Sequence, residues 1–135
     1  VRNMISRTDL TVPSKRKVHA QEKGVSDREA VQRVCSGEAS VALVSDGGWE
    51  ELLATFDTLF VKIGPETITA CGNKRSEEIH IENLCQTVNM KLLPLLFIWK
   101  PEIIVLKIDR ESTSDTEYCV QQLQSLSQGR MILNK

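Results

Sequence analysis

KPEIIVLKID, residues 100–109, carries the strongest strand signal in the chain. Ile103, Ile104, Val105 and Leu106 follow one another without polar alternation, and Ile108 extends the run past Lys107. A strand of this kind is covered on both faces, which a parallel sheet flanked by helices provides. Downstream, Ser114 with Glu117 reads as a capping box, followed by a helix that turns Cys119, Val120, Leu123 and Leu126 inward. Gly129 stops that helix, and RMILNK reads as a last strand.

The same logic extends upstream. SVALVS (40–45) is a second doubly buried strand. After it, Trp49, Leu52, Leu53 and Phe56 fall at the spacing of an amphipathic helix. GVSDREAVQRVCSG predicts a helix capped by Ser26 and Glu29, ended by Gly37, with Ala30, Val31, Val34 and Cys35 as its apolar stripe. DTLFVKI (57–63) reads as a strand, Gly64-Pro65 as a turn and ETITACG as the hairpin partner. Asn73 to Ser76 read as a polar loop. From Glu77 a helix is expected through Ile81, Leu84, Cys85 and Val88 toward Leu92, although IHI alternates as a strand does. Pro94 is expected to stop that helix.

Helices therefore mostly alternate with strands. The expected fold is α/β: a three-layer domain over residues 25–135, with a mostly parallel central sheet containing one antiparallel hairpin. Residues 1–24 lack periodicity and read as a basic arm or linker, with LTV as a short strand inside it. They carry Arg2, Arg7, Lys15, Arg16, Lys17 and Lys23 against only Asp9 and Glu22. The first residue is Val and the last ones leave a strand directly, so the chain reads as a domain cut from a longer one.

A length of 135 residues allows a real core without a metal or disulfide staple. A net charge of -1 gives no overall drive toward nucleic acid or anionic membrane. The four cysteines, Cys35, Cys71, Cys85 and Cys119, are scattered in apolar segments without paired spacing. They read as reduced thiols of an intracellular protein, nuclear or cytoplasmic. No zinc spacing, nucleophile motif or cofactor requirement is visible, so no catalytic residue, metal or cofactor is expected. The run LLPLLFIW is too short to span a bilayer, and no membrane contact is expected.

Four stretches are candidates for function. VSDGG (44–48) has the outline of a phosphate turn, but Glu50 and Glu51 would repel an anion, so it reads as a corner. Asp46, Asp109 and Glu111 follow strands, where ligands of open α/β sheets bind. Lys15, Arg16 and Lys17 are the candidate nucleic-acid contacts of the arm. The chain has six aromatic residues, none among those basic ones, so no stacking platform is indicated there. NMKLLPLLFIWKP holds too many large apolar residues around Pro94 for all to turn inward, which makes Leu95, Phe97 and Trp99 candidates for binding a protein partner.

Two resemblances sharpen the alternatives. The stretch from EEIHIENLCQTV to KPEIIVLKIDRESTSDTEY is similar in order to the latter half of FkbM-type methyltransferases, through Lys107, Ile108, Asp109 and Glu111. Ser112 stands where that family has a glycine, and its upstream glycine-rich motif is missing. This resemblance implies an S-adenosylmethionine-dependent methyltransferase-like or other ligand-binding domain. From SVALVSDGGWEELL through DTLFVKI, ETITACG and IIVLKIDRE to RMILNK, the order of elements resembles the nuclease-fold domain of the XPF group. The E-R-K-x-x-x-D motif of that group is absent, which implies an inactive, partner-binding member. The leading expectation is thus a non-enzymatic interaction domain that binds a protein partner and supports nucleic-acid work through its arm.

Overall fold

The structure is a computed structural model that describes residues 24–126 and 130–134. The basic arm with Lys15, Arg16 and Lys17, the LTV segment and the stop at Gly129 lie outside the described residues.

Helix α1 (Asp27–Ser36) forms as its punctuation predicts. The Ser26 hydroxyl accepts from the Glu29 amide at 3.1 Å, and Gly37 ends the helix at φ 87°. Ala30, Val31 and Val34 are fully buried. Strands β1 (Val41–Val44), β2 (Thr58–Ile63), β3 (Thr67–Gly72), β4 (Arg75–His80), β5 (Ile103–Ile108) and β6 (Met131–Asn134) form one sheet in the order β1-β6-β5-β2-β3-β4. The fold is α/β with a mixed sheet. The pairs β1–β6, β6–β5 and β5–β2 are parallel, while β2–β3 and β3–β4 are antiparallel.

The continuous apolar run of β5 has the consequence expected of it. Ile104 and Leu106 enter one core cluster, and Ile103 and Val105 enter another. β1 and β6 divide their residues in the same way, with Val41 and Met131 in the first cluster and Ala42 and Ile132 in the second. Each of the Val, Leu, Ile and Met side chains among them contributes roughly 1.5–3 kcal/mol by leaving water. The first cluster also takes in Leu84, Val88, Leu92 and Leu96 from the helical run 84–99, with Cys119 and Leu123 of α4 (Ser114–Leu126). The second takes in α1, Trp49 and Leu53.

Four expectations change. The single hairpin becomes a meander of two, because Arg75–His80 is a strand where a loop and a helix start were expected. Gly72 pairs with Arg75, so Asn73 and Lys74 alone make the turn, with Lys74 at φ 58°. The IHI alternation wins there, with Ile79 turned into the core. The helix expected at Trp49 to Phe56 is a single 3₁₀ turn, Glu50–Leu53.

Pro94 does not end its helix. The run begins at Leu84, capped by the Asn83 side chain on the Gln86 amide at 3.0 Å, and passes through α2 (Leu84–Thr87) into a π turn, Val88–Leu92. The Leu93 amide reaches back to the Val88 carbonyl, and α3 (Leu93–Trp99) restarts with Pro94 in its first turn. A proline there needs no donor, so the wider turn absorbs it. Finally, α4 is capped by Thr113 rather than Ser114. The Thr113 and Thr116 side-chain oxygens accept from each other's amides, at 3.4 Å and 2.9 Å.

Candidate functional site

The VSDGG turn is a corner, and its amides are already taken. Asp27 Oδ2 accepts from the Ser45 and Asp46 amides, each at 3.0 Å. Glu50 Oε1 accepts from Gly48 and Trp49 at 3.0 and 3.1 Å. The Trp49 indole N–H donates to the Asp46 carbonyl at 2.6 Å, and Arg28 donates to the Gly48 carbonyl at 2.8 Å. Arg28 also pairs with Glu51 and holds that carboxyl below its ordinary range. Two of the chain's own carboxylates thus occupy the donors that a phosphate would use.

Asp46 and Asp109 follow β1 and β5, and β6 lies between those strands. The strands they leave are therefore about 10 Å apart. Asp46 and Glu111 are exposed, and Asp109 faces the Lys62 ammonium at 3.8 Å. Among the described residues, no three His, Cys, Asp or Glu side chains are placed to hold a metal ion. Beside these strand ends runs a groove of about 800 Å³, lined by Ile108, Val120 and Leu133, with Arg110 and Thr116 at its polar side. Arg110 is engaged there, donating to the Gly64 carbonyl at 3.2 Å.

In the run 84–99 the partner candidates separate. Leu95 and Trp99 are half-buried against the core, while Phe97 is 69% exposed. The Trp99 ring lies 5.3 Å from the Arg75 guanidinium, and its carbonyl accepts from Arg75 at 3.3 Å. Ile98 and Met90 are 74% and 65% exposed, and Pro94 is exposed too. Met90, Pro94, Phe97 and Ile98 recur at helical spacing and form an outer stripe. Lys91 and Lys100 are exposed near it, and residues 84–99 include no acid.

Sequence reasoning missed Phe60. Leu59, Val61 and Ile63 fill the core, which turns Phe60 and Lys62 to the opposite face of β2. The period-two alternation of TLFVKI carries that signal.

The described residues contain no helix long and apolar enough to cross a membrane. Scans against protein-family models, curated proteins and solved structures give no significant match to this chain.

Proposed function

We propose that this chain is a non-enzymatic, intracellular α/β interaction domain that binds a protein partner. The observation that carries the reading is the exposed stripe of Met90, Pro94, Phe97 and Ile98 on one helical run. Large apolar side chains grouped on a surface mark interaction sites more than scattered ones do. The nearby lysines and the absence of acids in 84–99 favour a partner with an apolar centre and an acidic rim. A three-layer arrangement belongs to the same proposal, supported by the separate clusters on which alternate residues of β5 draw. The basic arm with Lys15, Arg16 and Lys17 would add a phosphate-binding tether.

The test compares the wild type with Phe97→Asp and Ile98→Asp, both exposed, with thermal unfolding to confirm that each variant stays folded. Proteins captured by the wild type are purified and assayed for direct binding. A partner that binds the wild type and loses at least tenfold in affinity to both variants supports the reading. Equal binding by all three overturns it. Sedimentation that shows a wild-type dimer abolished by Phe97→Asp would reassign the stripe to a second copy of this chain.

A further inference from the structure

We infer that the open sheet face around Phe60 binds a nucleotide, free or as one unit of a single strand. On this side, α1 and the 3₁₀ turn pack with residues of β1, β6 and β5, while Phe60 and Lys62 of β2 and Cys71 of β3 are exposed and Thr69 is partly so. The register places those residues in two rows across the strands. Cys71, Phe60 and Val105 stand opposite one another in the first. Thr69, Lys62, Lys107 and Asn134 stand opposite one another in the second.

Val105 is buried in the second core cluster, so Phe60 with exposed Cys71 beside it is the open, stacking part of the first row. Phe60 is 43% exposed although it lies inside a strand, and hollows of about 320 and 300 Å³ flank it. Trp49 and Val105 line the second hollow, which also reaches Lys62 and Lys107. The polar row is an anion seat. Lys62 and Lys107 are direct neighbours on parallel strands, a placement that costs stability unless a negative charge lies between them. Asp109 stands 3.8 Å from Lys62, and Lys107 has no ion-pair partner among the described residues. Glu78 extends the row on β4, one strand beyond Thr69. Glu50 faces the hollow with its carboxylate already bonded to the Gly48 and Trp49 amides.

The two rows lie about 7 Å apart along the strands, a distance that one sugar bridges between a base and its phosphate. A base would stack on Phe60 with its phosphate between Lys62 and Lys107. Stacking on an aromatic side chain tolerates any base, so the face selects for a nucleotide rather than for a sequence. This surface is independent of the helical stripe, because residues 84–99 pack in the other core cluster.

The test titrates the full chain at low salt with AMP, a short single-stranded oligonucleotide and inorganic phosphate. It is followed by fluorescence anisotropy and by amide shifts in NMR spectra. Shifts confined to β2, β3 and β5 are expected with AMP or the oligonucleotide, and the tighter of the two identifies the source. Phe60→Ala should weaken binding roughly tenfold, while Phe60→Tyr keeps it. The double variant Lys62→Gln/Lys107→Gln should weaken it further and lower the salt slope by about one. Phe60, Lys62 and Lys107 are all exposed, so each variant should stay folded. The double variant should be no less stable than the wild type, since it removes the like-charge pair, and the tyrosine variant separates stacking from folding. Failure of AMP and the oligonucleotide to bind overturns the inference. So does a site that inorganic phosphate fills equally well, or binding that survives both Phe60→Ala and the double variant.

Discussion

Arg75 Nη2 donates to Asp57 Oδ1 at 2.6 Å, across the intervening strand β3. It passes beside Gly72, where an added Cβ would lie in ordinary contact with that guanidinium nitrogen at 3.4 Å and more tightly against Leu59 at 3.2 Å. The same guanidinium holds the end of α3 through the Trp99 carbonyl and ring. One side chain therefore ties together the entry to β2, the start of β4 and the end of α3.

Arg75→Ala should consequently destabilise the fold by about 1–2 kcal/mol, read from the denaturant midpoint. Arg75→Lys should recover only part of that, because an ammonium lacks the planar fork and stacks less well on Trp99. The Asp57→Ala and Arg75→Ala effects should be strongly non-additive in a double-mutant cycle. Additive losses would show that the bridge carries no coupling energy.

Cys119 gives the fold a pH dependence. Burial pushes its thiol up from 9.0 to about 11, with Cys85 and Asp115 adding to the shift. The unfolded chain releases this proton at the ordinary value, and the folded chain holds it longer. The contribution is therefore complete below pH 9.0 and is lost as pH rises toward about 11. Urea midpoints should fall over that window less steeply in Cys119→Ala than in the wild type. Parallel curves would remove Cys119 from the account. At pH 8 a thiol reagent should modify exposed Cys71 promptly and Cys119 only on unfolding.

The two glycines of the VSDGG turn should respond differently to substitution. Gly48 sits at φ 91° with open space where a Cβ would go, so Gly48→Ala should cost about 1 kcal/mol through backbone strain alone. Gly47 has no such angle, and its added Cβ would meet only the end of the Glu50 side chain at 3.3 Å. Gly47→Ala should be the milder change in thermal unfolding. Equal costs would mean that the Glu50 hydrogen bonds, rather than the angle at Gly48, hold the corner.

What the residues announced and what they concealed follows from how local each signal is. Helix α1 was legible because Ser26, Glu29 and Gly37 act within one turn of their own backbone. β5 was legible because an uninterrupted apolar run has little use except between two covers. β4 was not, since RSEEIH buries only Ile79 and takes its shape from pairing with β3. The continuity of residues 84–99 was hidden for a similar reason. A proline removes one donor, but whether the helix breaks or widens depends on the packing of Val88, Leu92 and Leu96 on either side of it. Of the partner candidates, Phe97 is exposed, whereas Leu95 and Trp99 lean inward, a difference set by how the helix is rotated against the core, which composition does not carry.

The cap of α4 offers the clearest discrimination between a sequence pattern and the geometry that forms. SxxE at Ser114 and Glu117 matches the capping-box pattern, yet the reciprocal bonds join Thr113 and Thr116, one residue earlier. Thr116 is 3% exposed, and its hydroxyl also donates to the Thr113 carbonyl at 2.8 Å, so its partner cannot be replaced by water at little cost. Thr113→Ala should therefore cost about 1 kcal/mol, the usual worth of an N-cap. Ser114→Ala, at the first helical position, should stay within about 0.5 kcal/mol of the wild type. The reverse order in denaturant unfolding would place the cap at Ser114 and move the start of α4 by one residue.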